Sequence, residues 1–147
     1  GFYKDAENVI KWLESKNILN NNIILYGESL GTAVAIHTAQ SKNFSGIILE
    51  APFTSMVDLG QKYYPFFPVK FLLKDKYESK KKLNRINSPV LVMHGKKDKI
   101  VPFYMGKQIF EILPSPKFSY FNEQDDHMME YNQDLIDSIK NFIDQLS

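Results

Sequence analysis

Short, unbroken apolar runs alternate along this chain with blocks of helical spacing, and that alternation restricts the fold more than any other feature. Ile23-Ile24-Leu25-Tyr26, Gly46-Ile47-Ile48-Leu49 and Pro89-Val90-Leu91-Val92-Met93 are continuously apolar, the pattern of parallel strands buried on both faces. Lys117-Phe118-Ser119-Tyr120-Phe121 reads as a fourth strand. Between the runs lie helical blocks. Asp5 is placed to cap a helix carrying Ala6, Val9, Ile10, Trp12 and Leu13 as one stripe, and a second helix is expected from about Ser29 to Gln40. Met105, Ile109, Phe110 and Leu113 follow Pro102 with helical spacing, and Leu135, Ile136, Ile139, Phe142, Ile143 and Leu146 keep it to the end of the chain. Strand-helix-strand repetition of this kind predicts one α/β domain with a mainly parallel sheet flanked by helices. The stretch 54–87 breaks the rhythm. It holds Tyr63-Tyr64-Pro65-Phe66-Phe67-Pro68 and Lys80-Lys81-Lys82, and a connection of that length reads as a lid-like insertion.

Composition removes several function classes. The 147 residues suit one domain, and a hydrophobic content of 44% with 24% charged residues is that of a chain able to bury a core. Eighteen Lys and Arg against seventeen Asp and Glu leave a net charge of +1, and Arg85 is the only arginine, which speaks against a nucleic-acid partner. With no cysteine there is no disulfide, thiolate metal site or cysteine nucleophile. No apolar run approaches the roughly 18 residues that span a bilayer. A cytoplasmic location is the expectation. Because the first residue is Gly1, a processed chain or a piece of a longer one is expected, with any upstream signal or anchor left open.

The chemistry centres on Gly27-Glu28-Ser29-Leu30-Gly31, a G-x-S-x-G motif between a predicted strand and a predicted helix. In that context the serine sits on a sharp turn with its Oγ above the sheet, and small flanking residues relieve the crowding. The N–H of Leu30, at the helix N-terminus, is the candidate oxyanion-hole donor. The competing reading is a glycine-rich turn that merely allows close packing. A serine needs a base, and three histidines are available. His37 lies about two turns, or ~12 Å, into the following helix and is out of reach. His94 and His127 both follow strands, at the sheet edge where ligands bind in open α/β sheets. Ser29, Asp98 and His127 follow the order serine, acid, histidine, whereas His94 would break it, so His127 is the candidate base, Asp98 its carboxylate and His94 structural. Asp125 and Asp126 compete with Asp98 for the acid role.

These residues carry a family resemblance. Tyr26-Gly27-Glu28-Ser29-Leu30-Gly31-Thr32-Ala33, Leu49-Glu50-Ala51-Pro52-Phe53-Thr54-Ser55 and His94-Gly95-Lys96-Lys97-Asp98-Lys99-Ile100-Val101-Pro102 make the chain resemble the α/β-hydrolase superfamily. It is most similar to serine aminopeptidase-like hydrolases and to the α/β-hydrolase-domain proteins related to depalmitoylases. The resemblance covers essentially the whole chain. It implies the same nucleophile, acid and base, with Asp126-His127 standing where the family often has Gly-His. It also implies a sheet of about eight strands, of which this chain supplies the later four, and a second oxyanion donor on an earlier strand. A C-terminal portion of a hydrolase, able to pair with an N-terminal part, is therefore expected.

The functional expectation is a serine hydrolase acting on an ester, thioester or amide through an acyl-enzyme, as an esterase, thioesterase or aminopeptidase-like enzyme without metal or organic cofactor. The alternative is a catalytically incomplete fragment or non-catalytic interaction module. Tyr63, Tyr64, Phe66 and Phe67 are candidate substrate-binding residues of a lid over an acylated or other small-molecule substrate. Packing of the same aromatics onto the sheet is an equal reading. Membrane association through Lys70, Lys74 and Lys76 is a further one, disfavoured by Pro65 and Pro68, which shorten any amphipathic helix. The lysine run 80–82 is expected to be a solvated face, and no glycine-rich nucleotide loop is present.

Overall fold

A computed structural model of the chain describes residues 1–147 apart from Asp75, Ser115 and Ser147, and does not describe the side chain of Leu72. Four parallel strands, β1 (Ile24–Glu28), β2 (Gly46–Glu50), β3 (Val90–Gly95) and β4 (Lys117–Asn122), lie side by side in chain order. Every residue of β2 and β3 is buried, which is why their sequences are apolar up to the polar ends Glu50 and His94. Edge strand β1 is largely exposed, and β4 is half-buried.

Helices cover both faces. Ile47, Leu49, Val90 and Val92 pack with Ile10 of α1 (Phe2–Ser15), Ile36 of α2 (Leu30–Ala39) and Ile109 of α5 (Phe103–Ile112). On the opposite face Ile48, Leu91 and Met93 meet Met129 and the residues Leu135 and Phe142 of α6 (Gln133–Asp144). Asn132 caps α6 by accepting from the Leu135 N–H at 3.1 Å. Strictly alternate strand residues divide between the two cores, as the pleat requires.

The departures from the sequence expectation are local. Gly1, not Asp5, stands at the N-cap of α1; Asp5 lies in its first turn, where a carboxylate complements the helix dipole. The stripe of α1 is narrower than expected, since Ile10 is buried while Val9 and Trp12 are exposed. The strands continue beyond their apolar runs to Glu28, Glu50 and Gly95, because their polar ends still pair along the ladder.

Within 54–87, α3 (Met56–Tyr63) and α4 (Val69–Leu72) form a helical hairpin, and a 3-10 helix spans Ser79–Arg85. The hairpin is tied at its base by Met56 N–H donating to the Lys76 carbonyl (2.7 Å) and Lys80 N–H donating to that of Thr54 (3.0 Å). Leu83 and Ile86 belong to the main core. Of the three lysines in the run, Lys80 and Lys81 are exposed, but Lys82 is not the solvated residue expected. Its ammonium stands 4.1 Å above the ring of Tyr3 and 3.1 Å from His37 Nδ1, and burial lowers its pKa. No helix among the described residues is long and apolar enough to cross a membrane.

Candidate active site

Ser29 occupies the turn between β1 and α2 with φ 51° and ψ −115°, a conformation that costs a non-glycine residue steric energy. Neighbouring bonds hold it there. Its N–H donates to the Glu50 carbonyl at 2.9 Å, and its own carbonyl accepts from Thr32 N–H (3.0 Å) and Thr32 Oγ1 (2.6 Å). Gly27 is sterically required, since a Cβ there would stand 2.4 Å from the Gly31 carbonyl oxygen. The expected crowding does not extend to Gly31, where a Cβ would meet nothing within 4 Å. Leu30 opens α2, so its N–H has no acceptor one turn earlier in the helix.

Asp98 lies in the turn after β3, buried. Its Oδ1 accepts from the N–H groups of Ile100 and Val101, each at 2.8 Å, and its Oδ2 lies 2.8 Å from His127 Nδ1. His94 Nε2 stands 2.8 Å from the Val101 carbonyl and 3.3 Å from Asp98 Oδ2. Both neighbours are acceptors, so Nε2 carries the proton; its hydrogen bond goes to the Val101 carbonyl, and the Asp98 carboxylate lies beside it at the longer distance. Burial pushes the Asp98 carboxyl upward, but His94, His127 and the two backbone donors outweigh it and hold its pKa below the ordinary value. Of the competing acids, Asp126 Oδ1 accepts from Met128 N–H, and Asp125 Oδ2 is buried with no hydrogen-bond partner.

His127 must come back across the sheet from the end of β4. With strands about 4.8 Å apart, β4 and β1 are separated by roughly 14 Å. Two contacts return the 123–131 segment. A Cβ on Gly95 would stand 2.3 Å from the Asp125 carbonyl oxygen, so glycine lets the loop cross the end of β3, where Lys97 N–H donates to the Asp125 carbonyl at 3.0 Å. Further along, the Tyr131 hydroxyl donates to Glu50 Oε1 on β2 at 2.8 Å and lies 2.7 Å from the Tyr26 hydroxyl on β1. The loop is thereby fastened to β1, which leads into Ser29, and to β2 beside it. With Nδ1 on Asp98, His127 keeps Nε2 for another partner, and its side chain is only 14% exposed.

Glu50 and Tyr131 were missed by sequence reasoning. Glu50 carries a signal in hindsight: it is a charged residue ending an otherwise apolar, fully buried strand. Burial first, and Glu28 beside it in register, raise its pKa against the lowering effect of Tyr131 and Tyr26. His37 has a structural place, stacked 3.9 Å from Tyr3 and 3.0 Å from Glu7 Oε1.

The candidate substrate-binding residues lie over the acid side of the site. Tyr63, Tyr64 and Phe67 line an apolar cavity of about 510 Å³ together with Met56, Leu59, Val69 and Ile100. The Tyr63 hydroxyl, a single donor, is within hydrogen-bond reach of the carbonyls of Lys99 and Ile100, next to Asp98. Phe66 stands clear of the cavity and is 97% exposed.

The family model for the prolyl oligopeptidase family matches residues 2–145. An uncharacterized protein of Mycobacterium tuberculosis, MT2364, is 35% identical over 118 residues, covering 80% of this chain and 42% of that protein. Lysophosphatidylserine lipase ABHD12 of Rattus norvegicus is 28% identical over 143 residues, covering 84% of this chain and 36% of the lipase. The chain thus spans less than half the length of these relatives. Among solved structures, the esterase RhEst1 from Rhodococcus superposes with a TM-score of 0.69 at 18% identity, covering 97% of this chain and 72% of the esterase.

Proposed function

Because this chain belongs to the prolyl oligopeptidase family, within the α/β-hydrolase superfamily, we propose that it carries the catalytic centre of a serine hydrolase acting on an ester, thioester or amide. The observation that supports this most is the 2.8 Å hydrogen bond between His127 Nδ1 and Asp98, reached by a loop fastened across β2 and β1 toward a serine in a strained strand-to-helix turn. In the proposed reaction Ser29 Oγ attacks the carbonyl carbon while His127 Nε2 takes its proton. Asp98 keeps the imidazole in the required tautomer and stabilises the imidazolium. The Leu30 N–H receives the developing oxyanion. His127 then protonates the leaving group, and water, activated by the same imidazole, releases the acyl group from Ser29.

Tyr63, Tyr64 and Phe67 would hold the apolar part of the substrate in the cavity they line, with Phe66 as the fourth aromatic group of the 54–87 lid. An apolar lining of that size favours an acyl chain over a polar group, in keeping with the lipase named among the relatives.

Intact-mass labelling with a fluorophosphonate tests the reading. A single adduct on the wild-type chain is expected, absent from Ser29→Ala and slowed at least about a hundredfold in His127→Ala. An adduct that persists in Ser29→Ala, or a folded chain that takes none, would overturn it. Esters of rising chain length then test the lid.

A further inference from the structure

The α3–α4 hairpin faces two ways. Its inner surface is already apolar, because Met56, Leu59, Val69 and Leu73 turn to the cavity. Outward it presents a second apolar surface, centred on Phe66 and Phe71, that the fold does not use. Tyr64-Pro65-Phe66-Phe67 is a turn closed by Phe67 N–H donating to the Tyr64 carbonyl at 3.1 Å, with proline at the position that favours such turns. Phe66 sits at its tip, 97% exposed. On α4, Val69 is buried and Phe71, two residues on and so about 200° around the helix, is 85% exposed. Tyr64 and Phe67, at the rim of the cavity they line, are each more than half exposed and join the patch to it. Single exposed apolar residues are ordinary; four aromatics within eight residues make a patch of the kind that marks an interaction site.

The charge around the patch is as uneven as its polarity. From the hairpin through the 3-10 helix that follows it, residues 62–85 contain seven lysines and one arginine against Asp75 and Glu78, a net charge of +6 in a chain whose total is +1, with Lys82 turned inward onto Tyr3 and His37. Lys62, Lys70 and Lys74 flank the aromatic tip and are exposed. The prolines that disfavour a long amphipathic helix instead hold the aromatics on a turn, so that little backbone freedom is lost on insertion.

We propose that this hairpin is a docking element for an anionic lipid surface, its exposed aromatics entering the acyl region while the flanking lysines meet the headgroups. Phenylalanine supplies the burial that water denies it, and lysine adds about fivefold in affinity per residue close to such a surface. The docking reaches beyond the hydrolase reading, because it needs neither Ser29 nor any turnover.

Flotation of the chain with lipid vesicles in the absence of substrate tests it. Partition onto phosphatidylcholine–phosphatidylglycerol vesicles is expected to exceed that onto phosphatidylcholine alone and to weaken as salt rises. Phe66→Ser should reduce partition about tenfold or more and keep its salt dependence. Lys70→Gln with Lys74→Gln should reduce it about 25-fold and flatten the salt dependence. These side chains are exposed, so the variants are expected to melt as the wild type does. Absence of partition onto anionic vesicles would overturn the proposal, as would partition that the Phe66 and Lys70/Lys74 variants leave unchanged. So would a dimer that Phe66→Ser turns into a monomer without any vesicle binding, which would assign the patch to a second copy of this chain.

Discussion

Asp98 in the turn after β3 and Glu50 at the end of β2 are both buried carboxyls at the same edge of the sheet, and their surroundings drive them in opposite directions. Burial favours the neutral acid in each case. Asp98 escapes because two backbone N–H groups and two imidazoles converge on it in fixed positions. Glu50 has two tyrosine hydroxyls as donors and a second carboxyl, Glu28, beside it, so burial and repulsion prevail. The difference lies in the donors, whose number and rigidity decide whether a buried carboxyl is a lasting anion. An anion is what a group facing an imidazole must be in the proposed mechanism. A carboxyl that accepts from Tyr131 can hold a loop in either protonation state.

Asp98→Asn would break the comparison at its most sensitive point. In the proposed mechanism the amide no longer fixes the His127 tautomer, and the fluorophosphonate labelling rate is expected to fall about 10³–10⁴-fold. Asp125→Asn, which touches no part of the relay, should leave the rate within about twofold, and the reverse pattern would move the acid role to the loop. Tyr131→Phe comes next. Loss of its hydroxyl leaves Glu50 without its 2.8 Å donor and frees the loop that carries His127. Unfolding in urea should show a loss of about 1–2 kcal/mol. Hydrolysis of a short ester should show kcat reduced about tenfold with KM little changed, because substrate contacts remain while the base is less well placed. A loss of stability with kcat intact would make the Tyr131–Glu50 bond structural only.

The two carboxyls also differ in how much of their role can be seen in the sequence. The pairing of Asp98 with His127 was legible because Asp98 follows a strand and precedes His127 in the order that the proposed chemistry uses, and because the continuous apolar runs already marked the strands. Glu50 and Tyr131 lie 81 residues apart, and nothing in periodicity joins them. Their contact exists because β2 is central in the sheet and the loop after β4 doubles back over it. Lys82 was misread for a similar reason. A lysine run looks solvated, but the 3-10 helix that buries Leu83 turns Lys82 onto Tyr3 and His37 from two other helices. Crowding at Gly31 was expected from the motif and is absent, since only Gly27 packs against the opening turn of α2. Contacts that an order of chemical groups demands, such as Asp98 with His127, were readable; contacts that packing alone brings together were not.

The smallest effect is expected at Glu50 itself. Glu50→Gln keeps an oxygen for the Tyr131 hydroxyl and removes the titration. For Glu50, whose pKa is raised in the folded chain, the folded state binds the proton more strongly, so its contribution to stability is full below the ordinary carboxyl pKa and is lost as pH rises through the raised value. Asp98 has the opposite sign: its contribution is present above the ordinary value and is lost as pH falls through its depressed folded pKa. In the wild type the two trends oppose each other over adjoining pH ranges. Urea unfolding from acid to neutral pH should therefore show the Glu50→Gln variant gaining on the wild type as pH climbs past the ordinary carboxyl range, while the acid loss due to Asp98 remains. A difference curve that is flat with pH would mean that Glu50 titrates as it does in the unfolded chain, and that the Tyr26 and Tyr131 hydroxyls offset its burial and the repulsion of Glu28 in full.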